Sequence, residues 1–155
     1  MKLLIVIFFP VLLIIYLLYQ LILFLRNKLY DYNILKSHKF KHLNIISIGS
    51  LKFGGAGKTP LVEYIINHLS QTKIAVLSRG YKRKKSGFII AKKHHTAFDI
   101  GDELNMISKK NKDLVVVADK NRQRAIKKII EKNNIKTIIL DDAHQYRKLK
   151  KNLNI

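Results

Sequence analysis

No cysteine occurs anywhere in the chain. Disulfides, zinc–thiolate centres and thiol nucleophiles are therefore excluded, which fits a reducing cytoplasm. Acidic residues are scarce: 10 Asp and Glu stand against 30 Lys and Arg, for a formal net charge of +20. The histidines show no metal-ligand spacing, and His94-His95 sits in a basic, loop-like stretch that reads as solvated. A further absence is local. No charged residue interrupts Leu3 to Leu25, an almost wholly apolar run long enough to span a bilayer. The run is too long for a signal-peptide core, and no small-x-small cleavage site follows it, so a retained membrane helix is expected. Pro10 is expected to kink it, while Gln20 is tolerable near an interface. The alternative is an interfacial helix with Tyr16 and Tyr19 among the headgroups. Lys2 precedes the run, and Arg26, Lys28, Lys36, Lys39 and Lys41 follow it. That asymmetry places the C-terminal side in the cytoplasm.

The excess of positive charge admits three readings: attraction to anionic lipids of the inner membrane, nucleic-acid binding, or a Lys- and Asn-rich composition whose charges are simply solvated. Lys greatly outnumbers Arg, whereas nucleic-acid readers lean on Arg forks. With a membrane anchor present, the lipid surface is favoured and no nucleic-acid partner is expected. The expected organisation is an anchor helix over 1–28, a basic connector over 29–42, and an α/β domain over 43–155. Without its anchor the chain offers about 125 residues, enough for a small α/β core.

Beyond the connector the hydrophobic pattern alternates. Leu43 to Ile48 reads as a buried strand, and Leu61 to Leu69 as a helix with apolar residues at helical spacing. Lys73 to Leu77 reads as a strand, Ser78 to Ser86 as a basic loop, and GFIIA (87–91) as a short strand. Gly101 to Lys110 could hold a short helix. Leu114 to Ala118 is a further strand, Asn121 to Lys132 a helix, and Lys136 to Leu140 a strand ending in Asp141-Asp142. Strands alternating with helices imply a parallel sheet with helices on both faces. Continuous apolar strands agree, because parallel strands are buried on both sides. No internal repeat is evident.

The stretch IGSLKFGGAGKTP, Ile48 to Pro60, joins the first strand to the first helix. Strand, glycine loop, Lys-Thr and helix in that order make a phosphate cradle. Gly54, Gly55, Ala56 and Gly57 would let backbone N–H groups converge on an anion, since a larger side chain would block the approach. Lys58 would reach the β- and γ-phosphates, and the Thr59 hydroxyl would ligate Mg²⁺. Lys52 stands where the strict pattern has glycine. The alternative, a plain glycine-rich turn, leaves Gly-Lys-Thr in this context unexplained.

Ligands of such sheets bind beyond the carboxyl ends of the strands, and three more polar motifs fall there. Asp141-Asp142 directly follows a hydrophobic strand, as a Walker-B position requires, although Asp is also a common turn residue. Either aspartate could face the metal. Gly101-Asp102-Glu103 is either a helix-start charge pair or a general base, Asp102, with Glu103 near the metal. Ser78-Arg79-Gly80-Tyr81, continued by Lys82-Arg83-Lys84-Lys85, is either a solvated charge run or a grip on phosphates of nucleotide or lipid. Arg79 and Tyr81 are its candidate contacts, and Arg122 and Arg124 suggest a weaker version of the same.

The order of these motifs resembles the tetraacyldisaccharide 4′-kinases, the lipid A kinases of Gram-negative bacteria. The resemblance covers nearly the whole chain. LRNKLYDYNILKSHKF resembles the family's connector, and IGSLKFGGAGKTP its deviant phosphate loop, which also lacks the first glycine. LSRGYKRK resembles the Ser-Arg-Gly-Tyr motif. IGDEL resembles Gly-Asp-Glu-Pro, with Leu104 for proline, and DDAHQY resembles Asp-Asp-Gly-Phe-Gln-His, with Ala143, His144 and Tyr146 departing from it. The resemblance implies a P-loop NTPase-like fold and transfer of the ATP γ-phosphate to the 4′-hydroxyl of a lipid A disaccharide precursor. It implies Mg²⁺ as cofactor and the cytoplasmic side of the inner membrane as location. Lys58 and Thr59 match its phosphate- and metal-binding pair, Asp102 its catalytic base, Glu103 the acidic neighbour, and Asp141 and Asp142 the Walker-B-like pair. The family continues for about as many residues again. The expectation is therefore a fragment or a truncated copy, with a non-catalytic, membrane-tethered nucleotide-binding module or degenerate remnant as the alternative, and an apolar sheet edge where the missing C-terminal half would pack.

Overall fold

The computed structural model describes residues 2–49, 57–69, 73–132, 134–143 and 146–155, with 2–8 as backbone only. The chain divides into two compact units, Met1–Ser37 and His38–Ile155.

The first unit is built on one helix, α1 (Lys2–Asp31), with Pro10 inside it. Its 30 residues extend about 45 Å at the α-helical rise. Phe9–Asp31 is long and apolar enough to cross a membrane, with mean hydropathy 2.1, and its most apolar window is wholly unburied. The helix runs past Lys28 to Asp31, so part of the stretch read as connector is helical. Lys28 sits in its last turn, where a cation answers the helix dipole. The end is closed by Tyr32 N–H donating to Lys28 C=O (2.9 Å) and Leu35 N–H to Leu29 C=O (3.0 Å). Asn33 takes the positive φ of 58° that lets the chain turn.

The second unit runs β1 (Asn44–Ile48), α2 (Lys58–His68), β2 (Ile74–Ser78), β3 (Ile89–Ile90), α3 (Ala97–Ile100), α4 (Asp102–Lys110), β4 (Val115–Ala118), α5 (Arg122–Lys132), β5 (Thr137–Asp141) and β6 (Leu153–Asn154). Its six strands form one sheet in the order β3-β4-β2-β5-β1-β6. Five run parallel, and β3 lies antiparallel against β4. The sheet is thus parallel at its centre and mixed at one edge. GFIIA contributes only Ile89–Ile90 to it. At the other edge β6 comes from a stretch with no apolar run. Asn152 docks it: the Ile45 N–H donates to Asn152 Oδ1 (2.9 Å), and the Asn152 N–H donates to Ile45 C=O (2.8 Å).

β5 lies between β1 and β2 and pairs with both in register. Every residue of β2 and β5 is buried, as the unbroken apolar runs require of strands covered on both faces. Alternate residues feed opposite cores. Ala75, Leu77, Ile138 and Leu140 pack with Ala125, Ile126 and Ile129 of α5. Ile74, Val76 and Ile139 pack with Val62 and Ile66 of α2 and with Leu104 and Ile107 of α4. Leu77, fully buried on a central strand, should be costly to truncate. Leu77→Ala is expected to lower unfolding stability by about 2–5 kcal/mol, read by urea denaturation of the chain in detergent micelles.

Candidate active site

The register of β1 against β5 determines what meets at their carboxyl ends. Ile48, the last residue of β1, stands opposite Asp141, the last of β5. The Asp142 N–H donates to Ile48 C=O (2.9 Å), tying the acidic turn to the start of the glycine loop. Gly54, Gly55 and Ala56 lie outside the described residues, as does Lys52. At the far side of the loop, Gly57 caps α2 with φ 69° and ψ 14° and offers no side-chain hydrogen bond. A left-handed residue here explains the glycine of Gly-Lys-Thr. The helix starts at Lys58, three residues before its first apolar position, so Lys58 and Thr59 occupy its first turn. Amides in a first turn have no intrahelical acceptor and point at whatever anion lies beyond them.

Lys58 Nζ lies 3.3 Å from Asp142 Oδ1. Asp142 adopts φ 51°, an uncommon left-handed conformation for a non-glycine residue that Asp tolerates better than most. Its neighbour Asp141 is buried and faces Glu103 of α4. Burial pushes the Asp141 carboxyl up, the facing Glu103 pushes it further, and Lys58 pulls it back, leaving it at about 6. The two aspartates therefore part company: Asp142 turns to the lysine and Asp141 to Glu103. Among the described residues no three His, Asp or Glu side chains converge on one point. The hard-oxygen donors brought together are the Asp141–Glu103 pair. Two facing carboxyls, Asp141 buried and Glu103 half-buried, could form a partial shell for Mg²⁺, which keeps several waters and takes one or two carboxylates.

Asp102 is exposed in the first turn of α4, beside Glu103. A small cavity of about 60 Å³ lies among Ser78, Gly80, Tyr81, Gly101, Asp102 and Glu103, so two of the sequence motifs share one hollow. They meet backbone to backbone. Gly80 has φ 69° and Gly101 φ 93°, and a Cβ on Gly101 would fall 2.9 Å from Tyr81 C=O and 3.0 Å from Gly80 C and Cα. Only glycine fits at this crossing.

The basic residues divide in a way the sequence left open. Arg122 is buried, donates to the backbone C=O of Asp142 (3.4 Å) and stacks on Tyr146, 5.4 Å from the ring centroid. Burial, and then nearby Arg79, hold its guanidinium below its ordinary pKa, against Tyr146 and the two aspartates. Arg79 and Tyr81 are exposed at the same end of the sheet. Arg83 and Arg124 do not belong with them. Arg83 donates to Ala118 C=O (3.2 Å) and Gly87 C=O (2.8 Å), bracing the loop from beneath. Arg124 makes a two-pronged bond to Asp119, through Nε (3.0 Å) and Nη2 (2.8 Å). Asp119 is fully buried at the end of β4 and was missed in the sequence. Its signal was an acid closing the run LVVVA, followed by Asn121 and Arg124. A cavity of about 810 Å³ lies at the opposite end of the strands and is lined in part by Lys73, Lys110, Lys112 and Lys132. α2, α4 and α5 all end there, and such lysines answer helix C-termini.

A glycine loop running into a helix, an acidic turn on the adjacent strand and a carboxylate partner from a third element together define a P-loop NTPase-like domain. The comparisons with known proteins make the class specific. Residues 8–155 match the family model of the tetraacyldisaccharide-1-P 4′-kinase LpxK, and the chain belongs to that family. The tetraacyldisaccharide 4′-kinase of Porphyromonas gingivalis is 47% identical over 135 residues, 84% of this chain and 38% of that protein. The enzyme of the same name from Flavobacterium johnsoniae is 45% identical over 135 residues, 86% of this chain and 39% of that protein. The crystal structure of LpxK from Aquifex aeolicus in complex with ATP superposes with a TM-score of 0.83 at 37% identity, covering 94% of this chain and 47% of that one. The chain thus spans well under half the length of the curated relatives it matches.

Two outcomes test this geometry. Gly101→Ala should force the Gly80 and Gly101 loops apart and destabilise the chain by about 1–3 kcal/mol, measured by urea denaturation; unchanged stability would mean the loops do not touch. Asp141 binds its proton more tightly folded, at about 6, than at its ordinary 3.8. Its contribution is therefore present below pH 3.8 and lost as pH rises through about 6. Asp141→Asn should flatten that fall and leave the variant more stable than the parent at neutral pH, read by thermal denaturation across the range.

Proposed function

We propose that these residues bind Mg²⁺–ATP and supply phosphoryl-transfer groups for phosphorylation of the 4′-hydroxyl of a lipid A disaccharide precursor. The observation that carries the reading is the convergence of Lys58, Asp142, Asp141 and Glu103 at the carboxyl ends of β1 and β5, with Asp102 beside Glu103 in the first turn of α4. The relatives' names and the ATP-bound structure supply the substrate and the nucleotide.

In this reading the first-turn amides of α2 and the Lys58 ammonium hold the terminal phosphates. Thr59 and Asp141, with Glu103, hold the metal, whose chemistry is to neutralise charge on the phosphates. Asp142 fixes the direction of Lys58. Asp102, exposed in the hollow beside Tyr81, accepts the proton of the sugar hydroxyl, and Arg79 and Arg122 face the anionic groups of nucleotide or substrate. Positioning and charge neutralisation are what phosphoryl transfer needs. α1 serves as the inner-membrane anchor, with the basic residues after it on the cytoplasmic side near anionic headgroups. An acylated sugar stays in the bilayer, so a kinase acting on it works at the membrane surface.

The test separates binding from turnover. The chain in detergent micelles should bind Mg²⁺–ATP, and Lys58→Ala should weaken binding at least about tenfold. Asp102→Ala should leave ATP affinity intact but lower the rate of phosphate transfer to the acylated disaccharide by about 10²–10⁴. Equal affinity in Lys58→Ala would overturn the phosphate site, and equal turnover in Asp102→Ala would overturn the base. Binding without turnover by the parent chain would favour the non-catalytic module.

A further inference from the structure

The turn after β5 is held by more groups than its own motif supplies. Asp142 sits at φ 51°, and the two carbonyls that follow the metal-side aspartate are each gripped by a cation from a different part of the chain. Arg122 of α5 donates to Asp142 C=O (3.4 Å). Lys151, just before β6, donates through Nζ to Ala143 C=O (2.6 Å). On the near side Asp142 N–H is fixed to Ile48 C=O (2.9 Å), and on the far side Tyr146 N–H donates to Ala143 C=O (3.0 Å). Ala143 C=O thus accepts twice, and Lys151 is the charged donor.

We infer that Lys151 is a positioning residue: it clamps the Asp142-Ala143 turn so that Asp142 is presented to Lys58 and Asp141 to Glu103. The inference rests on the nucleotide reading for its consequence, but the clamp itself does not. Lys151 belongs to none of the recognised motifs. Burial, then Arg122 and Arg147, lower its pKa to about 8, so the folded chain pays to keep an ammonium there. A left-handed aspartate gains from an external hold, because an unusual backbone conformation persists only where its surroundings over-determine it. β6 is what brings Lys151 within reach: Leu153 and Asn154 pair with Ile46 and Ser47 of β1.

The experiment compares the full chain with Lys151→Met, which keeps most of the stem and removes the charge, and Lys151→Arg, which restores a charged donor. Amide hydrogen exchange is followed at Asp142 and Tyr146, with Ile139 and Leu140 in the middle of β5 as controls. Lys151→Met should speed exchange at Asp142 and Tyr146 about tenfold, the loss of one hydrogen bond to a charged donor, with the controls and the thermal midpoint unchanged or improved. Lys151→Arg should restore protection. In ATP binding, Lys151→Met should lower the Mg²⁺-dependent part of the affinity about tenfold, as loss of an outer-shell support does, and leave Mg²⁺-free ATP binding alone. Unchanged exchange at Asp142 and Tyr146 in Lys151→Met overturns the clamp. So does equal loss at the β5 controls, which would make Lys151 a general structural residue. If the parent chain binds no nucleotide, the proposed function falls and the exchange measurement alone decides the clamp.

Discussion

One backbone register carries this structure. β1 and β5 lie side by side with Ile48 opposite Asp141, about one strand spacing apart. The loop that leaves β1 and the turn that leaves β5 therefore start from neighbouring points. Neighbouring strands in a parallel sheet are joined by crossovers, so this adjacency is set by topology rather than by nearness in sequence. Lys58 and Asp142 meet across 84 positions of the chain because two strands pair one way and no other. A slip of a single residue would turn Ile138, Ile139 and Leu140 to the wrong cores and carry the aspartates away from the helix that faces them. Burial on both faces thus does more than stabilise the sheet: it sets the distance between charges.

Those charges are distributed against the grain of the composition. The chain has only 10 acidic residues, yet Asp102, Glu103, Asp141 and Asp142 gather at one end of the sheet, in a molecule with a formal charge of +20. Like charges brought together in a buried corner do not form by default. Burial, and then the facing Glu103, raise the pKa of Asp141. The surrounding lysines and arginines draw polyanions toward the surface. Elsewhere the buried acid is fully matched: Asp119 accepts two bonds from Arg124.

Much of this was legible in the sequence because it rests on local pattern. Buried parallel strands announce themselves as apolar runs, and KTIIL, LVVVA and KIAVL are all strands in the fold. The Gly-Lys-Thr step opens α2 and the acidic pair closes β5, whereas the Gly-Asp-Glu turn lies between α3 and α4 and not at a strand end, because α3 intervenes after β3. What escaped was set by tertiary contact. β6 has no hydrophobic signature and exists because Asn152 doubles a backbone hydrogen-bond pair with Ile45. β3 could be read as a strand, but not as antiparallel, since direction follows from where the basic loop returns. Arg79, Arg83, Arg122 and Arg124 are indistinguishable as letters. The fold turns Arg83 and Arg124 to structural carbonyls and carboxylates, sets Arg122 on the backbone of Asp142 and leaves Arg79 exposed near Arg122. Lys151 lies in a lysine-rich stretch, RKLKKN, that carries no motif.

The crossing of Gly80 and Gly101 has a mechanical consequence. Most loops around a binding site touch through side chains, which can rotate and take up slack when one loop moves. Here two main chains meet with nothing between them. The contact has no play, so a displacement of one loop is passed on whole to the other. Tyr81 and Asp102, which follow the two glycines, are geared together and travel as one part of the molecule.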